Sequence, residues 1–79
     1  MRTEDQREVI CGGDPENYLK AYFKGLYFDL DDGEEIKIIA YKEKFPFKRE
    51  KFEDLAKGAK LQLFNFNDNG KEINLFLRK

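Results

Sequence analysis

Seventy-nine residues allow one small domain with one core, and 15 basic against 16 acidic side chains leave the net charge near zero. The chain has no His, no Ser and no Trp, and a single Cys, Cys11. These absences exclude a Ser-His-Asp triad, a Cys-His pair, a His- or Cys-ligated zinc site and an internal disulfide within the chain.

Residues 1–6 are polar and without period, and are expected to form a flexible acidic tail ahead of one domain over 7–79. Arg7 to Cys11 is a short strand candidate closed by Gly12-Gly13-Asp14-Pro15, which reads as a turn; either it is the first strand, or the stretch Tyr18–Leu30 supplies the first two. Tyr18 to Leu30 reads as a long strand. Leu19, Ala21, Phe23 and Tyr27 share one parity, and past Gly25 the apolar parity passes to Leu26, Phe28 and Leu30, as at a β-bulge. Asp31-Asp32-Gly33 is a hairpin signal. Glu35 to Lys42 alternates Ile36, Ile38 and Ala40 against Lys37, Ile39 and Tyr41, a strand pattern. Lys48 to Lys57 is the one helix candidate, with Phe52, Leu55 and Ala56 on one stripe and Gly58 as its stop. Ala59 to Asn67 and Lys71 to Arg78 alternate about Asn69-Gly70, a type I′ hairpin signal. The expected order is β-β-β-α-β-β, with Ile36, Ile38, Leu55, Leu61, Leu63, Ile73 and Leu75 in the core.

Five strands with one helix between the third and fourth is the order of the OB-fold, a small five-stranded barrel. The stretch GLYFDLDDGEEIKIIAY resembles the second hairpin of OB-fold domains such as those of replication protein A and the anticodon-binding domains of tRNA synthetases. FEDLAKGAKLQLFNF is similar to their helix–Gly–strand element. The resemblance spans residues 18–77 and implies a mainly β, OB-like barrel that binds single-stranded nucleic acid. No family motif fixes contact residues by position.

Candidate contacts come instead from strand parity. Tyr18, Lys20, Tyr22 and Lys24 lie opposite the core parity of their segment, as do Lys60, Gln62, Phe64 and Phe66 of theirs, and Asn74, Phe76 and Arg78 of the last. Aromatic rings interleaved with cations suit single-stranded DNA or RNA, with bases stacking on the rings and cations tracking the phosphates. The same Phe side chains equally fit a second apolar layer. The basic stretch around Phe45-Pro46-Phe47 adds Lys44, Lys48 and Arg49 as candidate phosphate contacts. A small protein-binding module, as subunit, adaptor or phage-type inhibitor, working through the same aromatic face or as a homodimer, is the alternative.

The acidic run Asp29, Asp31, Asp32, Glu34 and Glu35 fails the EF-hand pattern, since position 12 from Asp29 is Ala40 and position 6 is Glu34. It is expected to be a solvated turn, with no metal. Cys11 has no His to activate it. No cofactor motif is present, and a non-catalytic binding role is expected. The chain shows neither a membrane-spanning apolar run nor an apolar leader, so a cytoplasmic protein is expected.

Overall fold

The computed structural model describes residues 1–9 and 13–79. Its elements run β1 (Arg2–Asp5), α1 (Pro15–Asp29), β2 (Glu35–Tyr41), α2 (Arg49–Gly58), β3 (Gln62–Asp68) and β4 (Glu72–Arg78). The four strands form one open sheet in the order β1-β2-β4-β3. β1 runs parallel to β2, and the other two pairings are antiparallel. The expected five-stranded OB-like barrel is therefore not the fold. β1 and β3 lie at opposite edges and do not meet, and two helices pack where one was expected.

The largest correction is residues 18–30, read as a strand and found in α1 through Asp29, with Leu30 as its C-cap. Leu19, Phe23, Leu26 and Leu30 are all buried, at spacings of four, three and four. That spacing is one stripe of a 3.6-residue period, and the alternation about Gly25 is a by-product of it. The start is specified locally. Asp14 is the N-cap, its carboxylate accepting the Glu16 N–H at 2.9 Å, and Pro15 occupies the first turn. Asp14-Pro15 is thus a helix start rather than a strand-ending turn. The expected strand Arg7–Cys11 is not observed at Arg7–Val9, and Ile10, Cys11 and Gly12 lie outside the described residues. The first strand is instead Arg2–Asp5, inside the segment expected to be a tail.

The later elements match the sequence closely. α2, β2, β3 and β4 fall within a few residues of their expected limits, and the seven expected core residues are all buried. Two turns differ in type. Asp31-Asp32-Gly33 links α1 to β2 rather than two strands. At Asn69-Gly70 the positive φ falls on Gly70 (92°) and not on Asn69, which excludes type I′. The Asn69 side chain completes the turn, its Oδ1 accepting the N–H groups of Lys71 and Glu72.

Both helices cover one face of the sheet. Ile36, Ile38 and Ala40 of β2 and Ile73, Leu75 and Leu77 of β4 meet Phe23, Leu26, Phe52 and Leu55 in a single apolar layer. Glu16 in the first turn of α1 pairs with Lys51 in the first turn of α2 at 2.8 Å, and the last turns of both helices line one cavity. The helices therefore run side by side in the same direction, as two successive crossovers between parallel strands require. Among the described residues no helix lies on the opposite face of the sheet.

Candidate interaction surface

The register sets out that uncovered face in rows. Thr3, Lys37, Phe76 and Asn65 align across β1, β2, β4 and β3, and beside them run Asp5, Ile39, Asn74 and Asn67. Glu35, Arg78 and Gln62 form a third row, and Tyr41 with Glu72 a fourth. The register shift between Leu63 and Asn65 is a β-bulge that places Phe64 beside Phe76, ring centroids 6.1 Å apart. Ile39, Tyr41, Phe64 and Phe76 are half-buried, so the centre of the face is an apolar strip.

Paired charges rim this strip. The Arg78 guanidinium lies 4.6 Å from the centre of the Phe64 ring and donates to Glu35 at 2.9 Å through Nε. Lys37 Nζ sits 5.8 Å from the Phe76 ring. Arg7 joins Asp5 (2.7 Å) to Glu72 (3.2 Å), reaching from the end of β1 to β4. The hydrogen bonds from the Arg7 side chain and backbone N–H hold the Asp5 carboxyl down at about 2, and those two carboxylates push the Arg7 guanidinium up. Each carboxylate on the face at Asp5, Glu35 and Glu72 already has an arginine, and Lys37 has no ion pair to a described residue.

Five residues of the expected set thus come together here: Gln62, Phe64, Asn74, Phe76 and Arg78. The others disperse. Phe66 pairs with Leu75 and packs on Phe52 at 5.5 Å, on the helix side of the sheet. The bulge is the reason, since one extra residue reverses the parity after Phe64. Tyr18 and Tyr22 belong to α1. The Tyr18 hydroxyl donates to Gln6 at 3.0 Å, its ring stacks on Phe45 at 5.9 Å, and the Tyr22 hydroxyl donates to Glu4. Burial first, and the Glu4 carboxylate second, push the Tyr22 phenol well above its ordinary value. Lys20 pairs with Glu16 at 3.4 Å, and Lys24 is exposed further along the same helix.

Lys60 follows α2 with a φ of 63°. Lys44 is a brace: its ammonium donates to the Arg7 and Val9 carbonyls at 2.7 and 2.8 Å. Lys48 is the exposed N-cap of α2, and Arg49 pairs with Glu53 one turn on at 3.2 Å. The parity argument missed Lys37, Ile39 and Tyr41 as members of the face, although their alternation against Ile36, Ile38 and Ala40 carried that signal.

Among the described residues no three His, Cys, Asp or Glu side chains converge on a point that could hold a metal, and no helix is long and apolar enough to cross a membrane. In the acidic run, Asp29 pairs with Arg2 at 2.6 Å and Asp31 and Asp32 are exposed. Comparison with protein-family models, with curated proteins and with solved structures returns no match.

Proposed function

We propose that the protein is a binding module whose uncovered sheet face docks a partner polypeptide. The observation that carries this reading is the charge state of the face: an apolar strip of Ile39, Tyr41, Phe64 and Phe76 inside a rim of cations already matched to carboxylates. An apolar centre with a polar, paired rim is the anatomy of a protein interface. A single nucleic-acid strand on this face would have to draw Arg78 and Arg7 away from Glu35, Asp5 and Glu72, leaving Lys37, without an ion pair to a described residue, to meet its phosphates. The candidate aromatics and cations on which the single-strand expectation rested are now divided between opposite layers.

Two titrations test this. Labelled oligothymidylate and oligouridylate at low salt should show no saturable binding. Peptides selected from a random display library on the immobilised full chain should include a class whose affinity falls on the order of tenfold or more in Phe76→Ser, a loss expected of an aromatic anchor. Salt-dependent oligonucleotide binding abolished by Phe76→Ser would overturn the reading in favour of nucleic acid. A selected set indifferent to Phe76→Ser and Phe64→Ser would overturn it outright.

A further inference from the structure

The cleft where the last turns of α1 and α2 meet has features that neither the core nor the sheet face explains. Phe28, in the last turn of α1, leaves 82% of its surface in water, while every other aromatic ring is at least half-buried. A single exposed ring marks no site by itself; what sets Phe28 apart is the apolar cleft and the cations beside it. Tyr27 meets it edge-on at 5.4 Å, and beside the pair opens a cavity of about 180 Å³ lined by Lys24, Tyr27, Phe28, Gly58, Ala59 and Lys60.

The charge of that lining has one sign. Lys24 and Lys60 contribute it, and neither makes an ion pair with a described residue. Lys79 adds a third ammonium 4.4 Å from the Tyr27 ring. That ammonium is already engaged, donating to the Leu30 carbonyl at 3.0 Å with Asp32 at 3.8 Å, so among the described residues the free cations of the cleft are Lys24 and Lys60. Lysines near helix C-termini also offset the macrodipole, which alone would explain one of them. It does not explain Lys60. The α2 carbonyls are already capped, with the Leu61 N–H donating to Ala56 O at 2.8 Å and the Lys60 N–H to Lys57 O at 3.0 Å. This is a Schellman motif with Lys60 at C′, in the left-handed region where glycine is the favoured residue. A lysine at a backbone position that disfavours it is most simply there for its side chain.

We propose that this cleft docks an acidic segment of a partner polypeptide. An apolar side chain of the partner packs on Phe28 over Tyr27 and Ala59, and carboxylates flanking it pair with Lys24 and Lys60. Charge complementarity selects this occupant over a second copy, because a twofold contact through the cleft would bring lysine against lysine. The site lies on the helical layer and is independent of the reading of the sheet face.

The test uses the same display library on the full chain, sorted by variant. The expected outcome is a class of peptides with acidic residues around an aromatic or large aliphatic residue. Their affinity should fall about tenfold or more in Phe28→Ser and in Lys24→Glu, weaken as salt rises, and stay unchanged in Phe76→Ser. Lys60→Gly should weaken binding several-fold while raising the thermal midpoint, a combination that loss of fold cannot produce. The proposal is overturned if no acidic class is selected, if that class is indifferent to Phe28→Ser or to Lys60→Gly, or if it is lost in Phe76→Ser instead. It is equally overturned if oligothymidylate, rather than an acidic peptide, binds through Phe28 and Lys60.

Discussion

Two residues with positive φ show how far a single backbone angle reaches. Gly70 turns β3 into β4 at 92°, and a Cβ added there would meet nothing within 4 Å. A cost of substitution is therefore conformational and not steric crowding from neighbours. Gly70→Val should lose on the order of 1–2 kcal/mol, read as a lower denaturant midpoint at unchanged slope. An unchanged midpoint would mean that the turn rearranges. Lys60 is the converse case. Its left-handed conformation is adopted by a residue with a Cβ, so Lys60→Gly should gain roughly 0.5–1 kcal/mol in the same experiment. A loss there would show that the lysine stem packs on the cleft more strongly than the backbone resists it. A third residue, Phe66, shows the effect of an insertion. Its parity matches Phe64 in the sequence, and one bulge sends the two rings to opposite faces of the sheet.

At the scale of elements, legibility followed the clarity of each period. β2 and β4 alternate strictly, buried against half-buried, and both were legible. α2 has a narrow apolar stripe in a charged background and was legible as well. α1 was not, because Tyr18, Tyr22 and Tyr27 flank Leu19, Phe23 and Leu26 and widen its apolar stripe until it mimics alternation. The arbiter was at its start, where Asp14-Pro15 satisfies the capping rule. Asp14→Ala should cost about 1 kcal/mol, measured by chemical denaturation, since it removes the acceptor for the Glu16 N–H. No loss would mean that water replaces the carboxylate at no cost. β1 was illegible for a different reason. Arg2-Thr3-Glu4-Asp5 has no apolar residue, and only its partner β2 makes it a strand. Of the candidate face, Phe64, Phe76 and Arg78 could be found from parity. The alternation in β2 put Lys37, Ile39 and Tyr41 off the core face, but that they lie beside Phe76 and Asn74 depends on the sheet order, which no local pattern carries.

At the scale of the whole molecule, β1 is attached to the sheet on one side only and by polar contacts. The Gln6 N–H donates to Ile39 O at 2.7 Å, Arg2 reaches Asp29, Tyr22 reaches Glu4, and Arg7 ties Asp5 to Glu72. No side chain of β1 is buried, so hydrophobic burial does little to hold this edge. Electrostatics then makes its attachment pH-dependent. The Asp5 carboxyl titrates at about 2 in the fold against an ordinary 3.8, chiefly because Arg7 donates to its ionised form. A depressed carboxyl stabilises the fold fully above its unfolded value, and that contribution is lost as pH falls through the folded value. The window is therefore from about 4 down to about 2. Glu16 and Asp68 are held low by Lys51 and by Lys42 respectively, and act in the same direction. Hydrogen exchange corrected for intrinsic rates should show β1 amides losing protection across that window before the amides of β2 and β4. Asp5→Asn removes the titrating group, so its thermal midpoint should lie below wild type near neutral pH, and the gap should close as the pH approaches about 2. A gap independent of pH would mean that Asp5 acts through geometry alone. Uniform loss of protection across all four strands would mean that β1 opens only when the whole sheet does.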